Sequence, residues 1–253
     1  MGEMIFLSGL PRTGSTLLTS ILSQNPKIHT EGNSALCQLM WDLQVSCWNT
    51  EQMQNRPDLE NKLLSNLPEL FYENAQGLIF DKCRSWTLPA NLDLIHKYIT
   101  KSPKIIVMLR PILDIVRSFV YVRQKNNWQN PESGLLDEGS EPIMRSLLGV
   151  HYVIENEIPN TLFINYDDLI LNPKQVLNLI YAFCEIESFE HNFDKIINPN
   201  PENDENLNML GLHQIRPKIS KREIKVNLSK NLLRKAKELD DNLRNFRCHP
   251  HNR

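Results

Sequence analysis

The segment GLPRTGST at residues 9–16 constrains the fold more strongly than any other part of the sequence. It follows an apolar run at residues 4–8 and precedes a helical pattern at residues 16–24. A loop between a buried strand and a helix presents backbone N–H groups and a helix N-terminus to an anion. Its spacing matches the phosphate-binding loop of nucleoside triphosphatases, except that Ser15 replaces the lysine that reaches the β- and γ-phosphates. The loop therefore predicts a site for a different anion, with Arg12 supplying the positive charge.

Short apolar runs alternate with helical patterns along the chain. The runs are typical of strands covered on both faces, and they lie at residues 4–8, 78–81, 104–109 and 161–165. The helical patterns lie at residues 16–24, 112–125, 145–157, 173–184 and 229–243. This alternation predicts an α/β fold, a P-loop-type three-layer sandwich whose central, mostly parallel sheet is flanked by helices.

Three stretches lie outside this alternation. Residues 34–72 have a helical pattern and are expected to form a cap on one side of the sheet. Residues 126–142 are polar and carry Gly and Pro, which predicts a long loop. Residues 198–225, here called the late loop, concentrate basic side chains in RPKISKREIK. With 253 residues in all, we expect a single domain over 1–253.

Composition excludes several classes of protein. Lys and Arg number 28 and Asp and Glu number 30, so the net charge of −2 argues against a basic surface for nucleic acid. No apolar run approaches the roughly 20 residues of a membrane-spanning helix, and the first residues lack the pattern of a secretory signal. The five cysteines show no CxxC spacing and the histidines no HxxxH spacing. We therefore expect a cytoplasmic protein with reduced cysteines, no metal site and no membrane partner.

Three segments, taken in order, resemble the motifs of one enzyme family. They are PRTGSTLL followed by NPKIHTEG, then KIIVMLRPILDIVRS, then INYDDLILNPKQVLNLIYAFCEI. The sequence resembles the sulfotransferases that use 3′-phosphoadenosine 5′-phosphosulfate (PAPS). It is most similar to the tyrosylprotein sulfotransferases and their small bacterial relatives, because Arg12 stands where cytosolic sulfotransferases usually have Lys.

The resemblance implies a role for each motif residue. The first loop would hold the 5′-phosphosulfate through Arg12, Thr13, Gly14, Ser15 and Thr16. The second motif would hold the 3′-phosphate through Arg110 and Ser118, and the third would place Tyr166 beside the nucleotide. Glu31 would be the general base, and Lys82 with Arg12 would neutralise the leaving phosphate. Arg216 and Lys218 of the late loop would close over the nucleotide.

The resemblance also implies the substrates. PAPS would be the co-substrate and 3′,5′-adenosine bisphosphate (PAP) the product, with no metal required. The acceptor would be a hydroxyl group of a small molecule or a peptide. The family contains both monomers and dimers, so a homodimer stays open.

Two other functions remain open at this stage. A P-loop kinase of small molecules is favoured by Asp81, which would end a strand and hold magnesium. Ser15 and the pair Arg110 and Ser118 argue against it, since a kinase needs the missing lysine and not this pair. The second is an inactive module that binds a nucleotide or a partner.

Each site residue also has a purely structural interpretation. The glycine loop could be a tight turn without a ligand, and Glu31 a solvated loop carboxylate. Lys82 could be a surface lysine, and Arg110 could pair with Asp114 four residues on. Tyr166 could be a core tyrosine, and the basic residues of the late loop could be solvated.

Overall fold

The sheet contains five parallel strands in the part of the chain that the structure describes. The computed structural model describes residues 2–221 and 223–247, the last four by their backbone, so Cys248 lies outside it. The strands are β1 (Met4–Gly9), β2 (Ile28–Thr30), β3 (Leu78–Lys82), β4 (Lys104–Leu109) and β5 (Thr161–Asn165), in the order β2-β3-β1-β4-β5. The four predicted strands are confirmed. Strand β2 was not predicted because its three residues, IHT, form no apolar run.

The strand register aligns the carboxyl ends of the central strands. Leu7 of β1 lies opposite Lys82 of β3, and Gly9 of β1 lies opposite Met108 of β4. Since all pairings are parallel, the loops that follow β1, β3 and β4 leave the sheet at the same edge. In open α/β sheets this edge is where ligands bind.

Ten α-helices surround the sheet in the described residues. They are α1 (Ser15–Leu22), α2 (Leu36–Asn49), α3 (Glu51–Gln54), α4 (Pro57–Phe71), α5 (Pro89–Leu94), α6 (Ile112–Lys125), α7 (Met144–Glu155), α8 (Tyr166–Leu171), α9 (Pro173–Cys184) and α10 (Lys230–Arg247). Proline opens α4, α5 and α9, where its missing N–H costs no hydrogen bond. Each of the five predicted helices is present, with ends shifted by up to four residues.

Alternate residues of each strand pack into two separate cores. Phe6, Ile79 and Val107 face one side, against α2, α4, α6, α7 and α10. Leu7, Phe80 and Met108 face the other side, against α1 and α9. Both strand faces are therefore buried, which explains the continuous apolar runs and confirms the three-layer α/β prediction.

The stretches outside the alternation behave differently from one another. Residues 34–72 contain α2, α3 and α4, and the stretch 126–142 contains turns without a helix or strand. The late loop is irregular apart from one short 3-10 helix, Asp204–Leu207. It therefore takes its shape from contacts with distant parts of the chain rather than from local pairing.

Candidate functional site

The glycine loop is fixed by two backbone positions that exclude larger side chains. Gly9 has φ +118°, and a Cβ there would lie 2.2 Å from the carbonyl oxygen of Met108. Gly14 precedes α1 with φ +79°, and a Cβ there would lie 3.1 Å from the ring of Tyr166. Because α1 begins at Ser15, its first N–H groups have no acceptor inside the helix and are available to an anion at this end.

Lys82 is the buried cation at the end of β3. Its side chain is only 7% exposed, and its Nζ donates to Thr16 Oγ1 at 3.1 Å and to Glu202 Oε1 at 3.2 Å. Burial lowers the pKa of Lys82, while the Glu202 carboxylate partly opposes that shift. Lys82 is thus held against the glycine loop, and the neighbouring carboxylate of Glu202 stabilises its positive charge.

Arg12 lies across the loop and joins it to two distant segments. Its Nε donates to Ser118 Oγ at 3.0 Å, and its guanidinium also donates to the carbonyl oxygen of Leu212 in the late loop. Arg12 has φ +60°, a conformation that few non-glycine residues adopt. The structure therefore brings together Arg12 and Ser118, two residues that the sequence predicted for different phosphates.

Arg110 stands directly after β4 on the other side of the loop. Its guanidinium lies 4.1 Å from the ring centre of Tyr166, and one terminal nitrogen donates to the carbonyl oxygen of Arg12 at 2.8 Å. Its Nε is buried and has no hydrogen-bond partner in the described part of the chain. Asp114 contacts Arg117 instead, at 3.3 Å, so the structural alternative of an Arg110–Asp114 pair is not the one observed.

These residues line one cavity of about 400 Å³, here called the strand-end cavity. Its walls come from the glycine loop, the ends of β3 and β4, α6, α8 and the late loop. The predicted site residues that line it are Arg12, Gly14, Ser15, Thr16, Lys82, Arg110, Ser118, Tyr166, Arg216 and Lys218. A donor-rich pocket with a buried, unsatisfied guanidinium nitrogen fits a ligand that carries more than one anionic group.

Two predicted residues lie apart from this lining. Thr13 is fully buried, and its Oγ1 donates to the carbonyl oxygen of Leu10 at 2.8 Å, so its side chain stabilises the loop from within. Glu31 follows β2, and its carboxylate lies 3.7 Å from Nε2 of His29. The residues found to line the cavity, within the described ranges, do not include Glu31.

The two late-loop cations line the cavity but are held loosely. Arg216 donates to Ser220 Oγ at 2.9 Å, within the same loop. Lys218 is largely exposed and lies 2.7 Å from a carboxylate oxygen of Asp194. Contact of either residue with a nucleotide stays a prediction.

The late loop also contributes a cluster that sequence reasoning missed. Glu202 bridges Lys82 and His213, with Oε2 at 3.2 Å from His213 Nε2. Asp204 holds the same ring from the other side, at 2.6 Å from Nδ1. The surrounding sequence, NPNPENDENLNMLGLH, has no motif spacing. The one sequence feature that pointed to a functional role for this segment was the unusual length of the loop.

Asp81 has a different environment from the one a kinase requires. It is fully buried and accepts hydrogen bonds from Ser34 at 2.6 Å, Tyr72 at 2.7 Å and Trp86 at 2.6 Å. Burial raises its pKa, and these three donors oppose the shift. Asp81 therefore joins β3 to the surrounding helices, and the feature that favoured a kinase has a structural role.

Neither a metal-binding cluster nor a membrane-spanning helix is found in the residues that the structure describes. Residues 2–221 and 223–247 contain no cluster of three or more His, Cys, Asp or Glu side chains arranged to hold a metal ion. The helices described are each too short or too polar to cross a membrane. Among the cysteines described, Cys37, Cys47, Cys83 and Cys184 form no disulfide.

Comparison with known proteins gives a family and a fold. A model described as the sulfotransferase family matches residues 4–191. The chain resembles the sulfotransferase domain from the curacin biosynthetic pathway, with 17% identity, a TM-score of 0.61 and coverage of 96% of this chain and 98% of that one. No curated protein sequence matches significantly.

Two further solved structures are similar. The sulfotransferase domain of the Synechococcus PCC 7002 olefin synthase is 17% identical, with a TM-score of 0.61 over 96% of this chain and 94% of that one. A sulfotransferase from Alicyclobacillus acidocaldarius is 14% identical, with a TM-score of 0.54 over 79% of this chain and 87% of that one. At these identities the structural likeness shows a shared fold.

Proposed function

The chain belongs to the sulfotransferase family, and we propose that it transfers the sulfuryl group of PAPS to a hydroxyl group of a small molecule or peptide. The observation that carries the proposal is the convergence of Arg12, Lys82 and Arg110 on the strand-end cavity beside the glycine loop. These cations lie far apart in the sequence and meet only because the parallel strands end at one edge.

The charges in the cavity fit the charge that develops during sulfuryl transfer. When the bond between sulfur and the bridging oxygen breaks, negative charge grows on the 5′-phosphate that leaves. Lys82 and Arg12, with the first N–H groups of α1, would stabilise this charge by fixed hydrogen-bond donors in a water-poor site. Removal of one such donor typically costs about 10²–10³ in kcat.

The other half of the nucleotide has its own candidate partners. Arg110 has an unsatisfied buried Nε, which fits a phosphate oxygen, and its guanidinium is braced by the ring of Tyr166. Ser118 lines the same cavity from α6, where its hydroxyl accepts a hydrogen bond from Arg12. We assign these residues to the 3′-phosphate, with Arg216 and Lys218 covering the nucleotide from the late loop.

Binding of PAP tests the donor half of this proposal. We expect PAP to raise the melting temperature in the absence of magnesium, with a stabilisation of about 2.7 kcal/mol at 100 times its dissociation constant. ATP should act weakly, since Ser15 replaces the lysine that a triphosphate needs. A response to magnesium and ATP alone, with none to PAP, would refute the sulfotransferase proposal.

A separate experiment tests which residue accepts the proton of the acceptor hydroxyl. The resemblance names Glu31, and that role stays a prediction. If Glu31 is the base, Glu31→Gln, which removes the proton acceptor and preserves size, leaves PAP affinity unchanged and removes most transfer. Equal losses of PAP binding and transfer would show a structural role for Glu31.

A further inference from the structure

A second cavity, of about 560 Å³, lies against the strand-end cavity. Glu202 and His213 line both cavities, so they form the wall between them. Lys82, the predicted partner of the leaving phosphate, contacts Glu202 on one side of this wall. A molecule in the second cavity would therefore meet the strand-end cavity next to the reacting end of the donor.

The ring of His213 is held in one orientation at this wall. Asp204 Oδ1 lies 2.6 Å from Nδ1, and Asp204 Oδ2 accepts the backbone N–H of His213 at 2.9 Å. A carboxylate can only accept, so Nδ1 carries a hydrogen toward Asp204, and Nε2 carries one as well while it is hydrogen-bonded to the Glu202 carboxylate. Asp204 is itself 9% exposed and opens the short 3-10 helix, so the support for the ring is anchored in the fold.

Glu202 occupies the space between Nε2 of His213 and Nζ of Lys82. Its Oε1 lies 3.2 Å from Nζ of Lys82, and its Oε2 lies 3.2 Å from Nε2 of His213. This space lies next to Lys82 and borders both cavities, so it is where the acceptor hydroxyl of the proposed reaction would lie. A multiply charged donor would repel this carboxylate from Lys82 and His213. Nε2 then releases to water the hydrogen that it had donated to Glu202, and it can accept the proton of the acceptor.

We propose that His213, positioned by Asp204, takes the proton of the acceptor hydroxyl, and that the second cavity binds the body of a neutral aliphatic alcohol. This inference deepens the proposed function and rests on it. In the transfer, the acceptor oxygen bonds to sulfur, its proton passes to Nε2, and the bond between sulfur and the 5′-phosphate oxygen breaks with its electron pair on that oxygen. The products are the sulfate ester, PAP and one proton, which His213 releases to water.

The lining of the second cavity supports this class of acceptor. Its apolar part comes from aliphatic side chains and two prolines: Ile196, Ile197, Leu210, Ile215, Pro201 and Pro217. The charged groups that line it within the described residues are Glu202, Asp204 and Glu205, all acidic. Aliphatic walls favour an aliphatic chain, and the carboxylates would repel an anionic acceptor.

The test uses 1-octanol and radiolabelled PAPS with the full chain, beside measured PAP affinity. His213→Gln should lower kcat for octanol by about 10²–10³-fold and change the dissociation constant for PAP by less than about threefold. Asp204→Asn should lower kcat by about 10- to 100-fold at unchanged KM, because it loosens the ring without removing it. Asp204→Glu should restore part of the loss. His96→Gln, a histidine outside both cavities, is the matched control.

The rates at which different acceptors are sulfated test the proposed acceptor class. 1-Octanol should be sulfated at least tenfold faster than 8-hydroxyoctanoate or a tyrosine peptide. If PAP binds and none of these alcohols is sulfated above the peptide, the acceptor assignment is wrong. If Glu31→Gln abolishes transfer while His213→Gln retains it, the base assignment is wrong. If the unaltered chain fails to bind PAP, the proposed function itself fails, and this outcome is separate from the other two.

Discussion

The two walls of the strand-end cavity are built in different ways. The wall formed by the glycine loop and the strand ends uses short-range geometry, namely Gly9 and Gly14 with positive φ and the first turn of α1. The wall formed by the late loop uses side-chain contacts between residues far apart in sequence. Glu202 reaches Lys82 across 120 residues, and Leu212 meets Arg12 across 200.

Because the two walls are built differently, they suit the binding of different substrates. Backbone donors and buried cations bind phosphate in the same way whatever the acceptor, so the first wall suits the donor. Side chains on an irregular loop can change without disturbing the sheet, so the second wall suits recognition of the acceptor. Lys82 belongs to the first wall and contacts the second, which makes it the place where the two interact.

The largest expected effect tests whether the first wall supplies the affinity for the nucleotide. Arg110→Ala should weaken PAP binding by roughly 10–150-fold, since a hydrogen bond to a charged group contributes about 1.5–3 kcal/mol. Arg117→Ala is the matched control, because Arg117 is partly exposed and paired with Asp114. Isothermal titration with PAP measures both. Equal effects of the two changes would mean that general positive charge, rather than the placed guanidinium, binds PAP.

Sequence alone predicted the first wall almost completely. Buried parallel strands leave apolar runs, and the loop between β1 and α1 leaves a spacing of glycines, so the fold and the position of Arg12 were predicted. Lys82 and Arg110 were predicted from the resemblance to the sulfotransferase motifs, each directly after a predicted strand. Thr16 was predicted as a residue of the glycine loop, and its contact with Lys82 was not.

The second wall could not be predicted because its information is not local. Glu202, Asp204 and His213 stand in a polar loop whose conformation depends on distant contacts, such as Asn200 with the backbone of Thr30 at 3.0 Å. No periodicity or motif marks these residues. Strand β2 was missed for a related reason, since its pairing with β3 rather than its composition makes it a strand.

A smaller effect, of opposite sign, tests whether the second wall opposes donor binding. Glu202→Gln should tighten PAP binding by about 3–10-fold, because it removes a carboxylate at 3.2 Å from Lys82 that competes with the incoming anion. Glu205→Gln is the control, an exposed carboxylate in the second cavity that does not contact Lys82. Weaker PAP binding in Glu202→Gln would mean that this residue positions Lys82 for the ligand. The two walls would then cooperate rather than compete.

The smallest effect is the pH dependence of PAP affinity, which reports on Lys82 where the walls meet. Burial lowers the pKa of Lys82, so the residue loses its proton at a lower pH than an exposed lysine. Neutral Lys82 attracts an anion less, so affinity should fall by a few-fold as pH rises through this lowered pKa. Lys82→Arg should bind PAP without this alkaline loss of affinity, because arginine stays charged.

Glu202 raises the pKa of Lys82, so in Glu202→Gln the loss of affinity should begin at a lower pH than in the unaltered chain. An unchanged onset would show that the carboxylate of Glu202 has already left Lys82 when PAP is bound. The contact between the two walls would then belong to the ligand-free protein alone.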